Sequence, residues 1–384
     1  MKRISALFLS LLILLSSVVI FSAATDSNIT STDYRYTEKY HKARVTFNDF
    51  AVLSQQTIPV PGLENTVVSD EICNCMTPQG LCVTEDFIFI SAYCNVKKYK
   101  TELEENKLYP GNAQKLENEK EHKTHKSVIY IIDRKSGDYI KNLVLPDTNH
   151  VGGLASDGKN LFIAKSTDKQ VSVITMKQIK RALETKSLSV DAQYEFTSDC
   201  YNNASFVVYF DDLLWVGVFN EKENGKLIAF EVENSSFKLN EVTTVSIPAK
   251  ANGASFADIN GQIYLNVNSS YGRKNVSDMY LYSVTDCGTK DMQLKTEGKY
   301  MMPPVMQNSC IYDGKMYYIF ESATTCYSEV SSVMNIKSTV HAIDRICITD
   351  AEDVFLPESG INMLMLRIKC FMNAVSDYIN SIIA

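Results

Sequence analysis

The sequence predicts an all-β protein, a β-propeller for which five blades are preferred and six are the alternative, followed by a C-terminal amphipathic helix. Two observations predict this fold. A hairpin in which a tight turn separates two β-rich runs recurs five times, and a further β-rich run follows each copy. In four of the five copies a proline then marks the end of a fourth strand. Four strands per copy, repeated about every fifty residues, are typical of propeller blades.

The five hairpins are recognisable from their turns. They occupy residues 81–91, 154–165, 206–217, 256–266 and 309–320. Each turn contains a Glu-Asp, Asp-Gly, Asp-Asp or Asn-Gly pair, and residues that tolerate positive φ favour a two-residue hairpin whose twist matches its strands.

The third and fourth strands complete each predicted blade. Third strands are predicted at residues 127–133, 171–175, 227–232, 279–284 and 340–348. Fourth strands are predicted to end at Leu145-Pro146, Ile247-Pro248, Met302-Pro303 and Leu356-Pro357, and the second copy near Phe196. Proline has no N–H to donate to a sheet, so it is expected at an edge strand or just beyond one.

The chain divides into four predicted segments. Residues 1–24 are predicted to be a signal peptide, residues 25–43 a mobile N-terminal segment, residues 44–358 the propeller and residues 359–384 the C-terminal helix. Lys2 and Arg3 precede an apolar run that ends in Ser22-Ala23-Ala24, which indicates cleavage after Ala24 and a secreted or extracytoplasmic protein. An uncleaved membrane anchor is the alternative. Residues 51–61 have the pattern of an outer strand and are expected to close the ring against the last blade.

The charge balance disfavours two classes of partner. Without Lys2 and Arg3 the chain carries 36 basic and 45 acidic residues, a net charge of −9. Such a surface is not expected to bind nucleic acid or an anionic membrane. The C-terminal helix contains only Arg367 and Lys369 as basic residues, so docking on the propeller is favoured over membrane association.

All ten cysteines follow the predicted signal peptide. An even number in an exported protein favours disulfides, and Cys75 with Cys94, which flank the first hairpin, is the first candidate pair; free thiols are the alternative. No cofactor or metal site is expected, because Cys73-Asn74-Cys75 lacks a second pair at zinc-binding spacing. His122 and His125 belong to a charged insertion, residues 97–126, which is predicted to be a solvated loop or a short exposed helix.

A polar face is predicted where the connections between strands open on one side of the propeller. Loops that enter the inner strands and loops that leave the second strands meet there. The candidate ligand-binding residues are Gln79, Tyr93, His150, Asn203, Asn252, Ser270, Arg273, Gln307 and Glu321. Amide side chains offer both donors and acceptors, while Arg273 and Glu321 can fix charged groups. The pattern favours recognition of a glycan, a peptide or a small polar molecule.

Six short motifs resemble a family of exported bacterial β-propeller proteins of largely unassigned function. They are Pro78-Gln79-Gly80, His150-Val151-Gly152-Gly153, Leu214-Trp215-Val216-Gly217, Ser270-Tyr271-Gly272-Arg273 with Asn275 and Ser277, Phe320-Glu321-Ser322 and Asp344-Arg345-Ile346. The resemblance covers roughly residues 61–349 and implies the fold and export, but no catalytic residue. The family usually has Val-Gln-Gly where this chain has Asn252-Gly253-Ala254, and a Glu near Gln307, so the polar face is altered here.

Three hypotheses about function follow. An exported binding protein is the first, and an enzyme is less favoured. The second is a metal-dependent hydrolase that resembles lactonase propellers, with Glu321 and His150 among its ligands, although one carboxylate is few for such a site. The third is a cell-envelope scaffold that uses the C-terminal helix to contact a partner.

Overall fold

The predicted hairpins form the inner halves of five antiparallel blades. The computed structural model describes residues 56–200, 203–233, 236–272, 275–328, 330 and 343–356. The predicted signal peptide, the segment 25–43 and the C-terminal helix lie outside the described residues. Within the described part, five sheets of four or five strands are arranged so that each innermost strand contacts the innermost strands of its two neighbours. The propeller prediction with five blades is therefore confirmed.

From residue 56 onward, three short strands precede the first blade: β1 (Gln56–Pro59), β2 (Thr66–Val68) and β3 (Glu71–Cys73). Blade one contains β4 (Met76–Val83), β5 (Phe87–Cys94), β6 (Val128–Asp133) and β7 (Tyr139–Val144). Blade two contains β8 (Gly153–Ser156), β9 (Asn160–Lys165), β10 (Gln170–Thr175) and, after a short β11 (Ser189–Asp191), β12 (Phe196–Asp199).

The other blades follow in chain order. Blade three contains β13 (Phe206–Phe210), β14 (Leu213–Val218), β15 (Gly225–Val232) and β16 (Leu239–Ile247). Blade four contains β17 (Ala251–Ile259), β18 (Gln262–Ser269), β19 (Ser277–Thr285) and β20 (Gln293–Met302). Blade five contains β21 (Met306–Tyr312), β22 (Lys315–Phe320), β23 (Arg345–Asp350) and β1.

The described part of the chain contains five helices between or beside these strands. They are α1 (Val96–Glu105), α2 (Asn112–Asn118), α3 (Met176–Leu183), α4 (Thr325–Ser328) and α5 (Ala351–Phe355). None of the helices in the described part of the chain is both long and apolar enough to cross a membrane.

The turn residues account for three of the five hairpins directly. Asp211 and Asp212 have φ values of 52° and 57°. The same left-handed pair occurs at Asn260-Gly261 and at Asp313-Gly314. Two successive residues at positive φ define the turn whose twist matches that of the flanking strands, so these sequence pairs select the hairpin register.

The ring closes as the sequence predicted. Strand β1 pairs antiparallel with β23, placing Gln56 opposite Ile348 and Pro59 opposite Arg345. The N-terminal strand thereby becomes the outer strand of the last blade. Backbone hydrogen bonds thus join the two ends of the repeat array, which is how a closed propeller avoids leaving its last blade incomplete.

Two predicted strand ends were wrong. Leu356 does not end a fourth strand; it follows α5, because β1 already occupies the outer position of blade five. Phe196 begins the last strand of blade two instead of ending it. The intervening segment forms α3, which begins at a capping box of Thr175 and Gln178, and β11, which pairs in parallel with β7 of blade one.

The predicted disulfide between Cys75 and Cys94 was also wrong. The register of the first hairpin pairs Cys94 with Met76, and the N–H of Asn95 donates to the Cys75 carbonyl over 2.9 Å. Cys75 is therefore offset by one position from Cys94. The thiol of Cys94 is instead hydrogen-bonded to the thiol of Cys73. The nine cysteines in the described part of the chain are all free thiols.

The charged insertion is more ordered than its composition indicates. It forms α1 and α2, which pack against each other, and α1 buries Val96, Tyr99 and Leu103. Apolar residues at helical spacing in an otherwise charged stretch are sufficient to dock one face of a helix. Of the two predicted alternatives, a solvated loop or a short exposed helix, the helix is present, but α1 is docked along one face instead of being fully exposed.

Glycines permit the inner strands to approach one another near the axis. A Cβ at Gly152 would lie 1.9 Å from the carbonyl oxygen of Ser205, at the entrance to the next blade. A Cβ at Gly80 would lie 2.7 Å from backbone atoms of Gly153. Because the obstructing atoms belong to backbone, relief would require the blades to separate.

We expect Gly152→Ala to destabilise the protein by about 1–3 kcal/mol, the cost of forcing extra volume into a packed interior. Gly298→Ala is the matched control, because nothing lies within 4 Å of the Cβ position at Gly298. That variant should be neutral or slightly more stable, since alanine restricts the unfolded chain. Urea denaturation of both variants measures the difference. Equal stabilities would show that inner-strand crowding does not limit residue size at position 152.

Candidate functional site

A chain of polar side chains joins blades one, two and five. Gln79 lies on β4, His150 precedes β8 and Glu321 follows β22. Gln79 and Glu321 are 242 positions apart in sequence, yet their side chains are hydrogen-bonded. The predicted convergence of these three residues is therefore present.

Gln79 is the centre of this chain. Its side chain is 1% exposed, and its Nε2 donates to Glu321 Oε1 and, over 2.8 Å, to the carbonyl of Pro78. Its Oε1 lies 2.6 Å from Nε2 of His150. An amide can donate on one side and accept on the other, so Gln79 connects a carboxyl to an imidazole without being charged itself.

The hydrogen bonds determine which nitrogen of His150 carries a proton. Because Oε1 of Gln79 only accepts, His150 Nε2 is the donor. His150 Nδ1 then accepts from the Ser166 hydroxyl, 2.9 Å away. Burial lowers the pKa of His150 to about 4, so the imidazole is neutral at neutral pH. Each ring nitrogen therefore has one partner that suits the neutral ring.

Tyr93 borders the imidazole. Its ring meets that of His150 edge to face, with centroids 4.5 Å apart. Such a contact stabilises the pair beyond the area that it buries. Burial raises the pKa of the Tyr93 hydroxyl well above its ordinary value, so the phenol remains a neutral donor and acceptor.

Glu321 is a buried carboxyl of unusual acidity. It is 5% exposed, and burial raises its pKa to about 7. Hydrogen bonds from Gln79, Tyr327 and Gln307, together with the charge of Lys98, oppose this rise. The carboxyl is thus protonated in about half of the molecules near neutral pH, where it can either donate or accept.

Tyr327 and Lys98 cover the carboxyl, and neither was predicted from the sequence. Tyr327 lies on α4, and burial raises the pKa of its hydroxyl. Lys98 on α1 places its Nζ 5.4 Å from the centroid of the Tyr327 ring, within cation–π range. Neither residue belongs to the repeated part of a blade, so alignment of the repeats carried no signal for them.

The other predicted site residues do not join this chain. Asn252 donates to the Ser270 carbonyl over 2.9 Å, and the Ser270 hydroxyl accepts from Ser277, so these residues hold the ends of strands in blade four. Asn203 is exposed. Arg273 lies outside the described residues. Gln307, in contrast, contacts Glu321 directly.

A further amide lies beside Gln307. Asn308 is buried, and its Oδ1 accepts from the N–H of Ser309 over 2.8 Å. Its Nδ2 has no hydrogen-bond partner among the described residues. A buried donor without a partner is costly, and such groups commonly bond to a bound water or ligand.

The geometry suits recognition better than acid–base catalysis. Gln79 lies between His150 and Glu321, and both nitrogens of His150 already have partners. A metal-dependent hydrolase would need these two residues as neighbouring free ligands. Neither residue belongs to a cluster of potential metal ligands in the described part of the chain.

Comparisons with known proteins do not assign a family. No protein-family model matches the chain, and no curated protein matches it significantly. The resemblance to exported bacterial propellers thus stays a prediction.

Solved structures show distant similarity. Glutaminyl cyclase of Myxococcus xanthus is 13% identical over 77% of this chain and 95% of that chain, with a TM-score of 0.41. An exo-β-1,3-galactanase of Phanerochaete chrysosporium is 9% identical over 78% of this chain and 64% of its own, with a TM-score of 0.44. Hydrazine synthase of Kuenenia stuttgartiensis is 10% identical over 71% of this chain and 74% of that chain, with a TM-score of 0.34.

Glu321→Gln is expected to alter the dependence of stability on pH. Because the folded-state pKa of about 7 lies above the ordinary 4.5, the stabilising contribution is full below pH 4.5 and is lost as the pH rises through 7. This loss amounts to about 3 kcal/mol. Relative to the wild type, the variant should therefore become more stable by about that amount between pH 4 and pH 8, as measured by denaturant titrations.

His150→Gln should show the opposite change. The folded-state pKa of His150, about 4, lies below the ordinary 6.5, so its contribution is full above pH 6.5 and is lost as the pH falls through 4. Relative to the wild type, this variant should gain stability on acidification. Glu231→Gln replaces an exposed carboxyl on β15 and serves as the control. Parallel profiles for all four proteins would contradict these pKa directions.

Proposed function

We propose that this protein is an exported binding protein that holds a polar ligand at the face of the propeller around Tyr93, His150 and Gln307. The observation that carries the proposal is the convergence of polar groups from blades one, two and five on Gln79 and Glu321. Buried polar networks cost stability unless every member is satisfied, so an arrangement this specific is typical of a recognition site.

The chemistry of these groups indicates the class of ligand. Tyr93, His150 and Gln307 are partly exposed, whereas Gln79 and Glu321 beneath them are buried. Both nitrogens of His150 are already bonded, so the Tyr93 hydroxyl and the Gln307 amide are the groups that would meet a ligand. Each can donate and accept, which favours the hydroxyl and amide groups that glycans and peptides supply. The near-neutral pKa of Glu321 allows it to accept from a ligand hydroxyl or ammonium.

Binding is tested by screening oligosaccharides, short peptides and small polar metabolites against the purified protein by thermal shift and calorimetry. Native mass spectrometry of freshly purified protein would identify any ligand that copurifies. Gln79→Ala should weaken binding of a hit by tenfold or more, because it removes the amide that orients both Glu321 and His150.

Gln170→Ala is the matched control, since Gln170 lies on β10 and bonds Asp199 away from the site. Tyr93→Phe keeps the ring contact with His150 and serves if Gln79→Ala does not fold. A hit whose affinity is unchanged in both site variants would place binding elsewhere on the molecule.

Export is a separate part of the proposal, and it rests on residues 1–24. Expression of the full chain in a secretion-competent host should yield a protein that begins at Thr25 and partitions outside the cytoplasm. Deletion of residues 1–24 should retain the protein inside the cell. An intact N-terminus in the membrane fraction would instead support the uncleaved anchor.

A further inference from the structure

Four potential metal ligands converge between the first blade and its insertion. Cys73 ends β3, Cys94 ends β5, and His122 and His125 follow α2. One sulfur or nitrogen atom from each residue lies within 4.8 Å of the other three. The thiols are buried, and the two histidine side chains are only 12% and 9% exposed.

Two carboxylates determine how the imidazoles are oriented. Glu119 Oε2 lies 2.7 Å from Nδ1 of His122, and Glu71 Oε2 lies 3.0 Å from Nε2 of His125. A carboxylate only accepts hydrogen bonds, so the nitrogen of each histidine that faces its carboxylate carries the proton. Carboxylate partners of this kind fix the ring orientation of metal-binding histidines in many proteins.

The orientation leaves two lone pairs facing each other. Nε2 of His122 and Nδ1 of His125 are 3.2 Å apart. With their other nitrogens donating to Glu119 and Glu71, neither facing nitrogen of a neutral pair has a proton to share. Two acceptors at this distance repel unless a cation lies between them. The sulfur atoms of Cys73 and Cys94 lie beside these two nitrogens, so all four atoms could bind one ion.

The supporting carboxylate is itself held in place. Glu119 is buried, and its second oxygen accepts from Nδ2 of Asn74 over 3.0 Å. Both oxygens of Glu119 are therefore engaged, one with the chain between Cys73 and Cys75 and the other with His122. Such fixed outer partners distinguish a built site from a chance group of side chains.

The two thiols are adjacent, as two sulfur ligands of one ion must be. Cys73 and Cys94 share a hydrogen bond. The nitrogen separation also fits, because two nitrogens on a tetrahedral zinc ion are about 3.3 Å apart at usual bond lengths.

We propose that Cys73, Cys94, His122 and His125 bind one zinc ion in a closed, structural site. Two sulfur and two nitrogen ligands in a tetrahedral set are typical of zinc. The ion would tie the insertion that carries α1 and α2 to the end of β5 and to the ribbon of β2 and β3. Cys75, Glu119 and His122 form a second possible group, but Glu119 is already bonded to Asn74 and the group offers only three ligands.

The spacing of the ligands explains why no zinc site was predicted from the sequence. Zinc motifs are recognised when two ligands lie a few residues apart in each half. Here His122 and His125 form such a half, while Cys73 and Cys94 come from separate strands. Only the folding of blade one brings the two cysteines together.

Elemental analysis of the full chain, purified without chelators under mild reduction, should find one zinc per molecule. Cobalt substitution should give the intense visible absorption of tetrahedral Co²⁺ and a near-ultraviolet sulfur-to-cobalt band, a readout that needs no variant. Removal of the ion with a strong chelator should lower the melting temperature.

Cys73→Ser and His125→Gln should each reduce the zinc content to near zero. Cys287→Ser, which replaces a half-buried thiol outside the cluster, should leave it at one. Two results would overturn the proposal: a Cys73–Cys94 disulfide found by mass spectrometry of the unreduced native protein, or reduced wild-type protein that takes up neither added zinc nor cobalt.

Discussion

Closure of the ring by β1 is the constraint on which the rest of the structure depends. Its pairing with β23 completes blade five and fixes that blade next to blade one. The bond between Gln79 on β4 and Glu321 after β22 spans this same junction. Bringing together residues so far apart in sequence costs conformational entropy. Closure of the ring already holds blades one and five together, so the contact between Gln79 and Glu321 adds little to that cost. The polar chain is therefore a consequence of closure, and it would not survive in an open array.

Close packing at the axis sets what the inner strands can contain. Gly80 and Gly152 allow backbone to approach backbone between blades one, two and three. Gly253 does the same between blades four and five, where a Cβ would lie 2.6 Å from Asn308 Oδ1. Beside these small residues the space is filled by amides and hydroxyls that bond across blades, such as Asn266 and Asn268 with Ser309. The polar character of the axis thus arises from packing before any ligand is considered.

The features that could be predicted from sequence are those encoded locally. Turn pairs such as Asn260-Gly261 adopt positive φ and account directly for three of the five hairpins, and the repetition of the hairpin pattern predicted the blade architecture. The meeting of Gln79, His150 and Glu321 followed from aligning the repeats. A one-residue shift in register was enough to defeat the disulfide prediction for Cys75 and Cys94, because pairing beyond a hairpin is not encoded by its turn. Tyr327, Lys98 and three of the four cluster residues, Cys73, His122 and His125, lie outside the repeats, where no periodic pattern exists to align.

The two polar centres are connected through a short physical path. Asn74, next to Cys73, bonds Glu119 with its amide, and its carbonyl accepts from the hydroxyl of Thr325 on α4. The same helix carries Tyr327, which bonds Glu321 and lies beneath Lys98 of α1. An ion held by Cys73 and His122 would therefore restrain both helices that cover Glu321. Because Lys98 lowers the pKa of that carboxyl, displacement of α1 would raise it. The proposed zinc site and the proposed ligand face would thus be coupled to the extent that α1 and α4 move together.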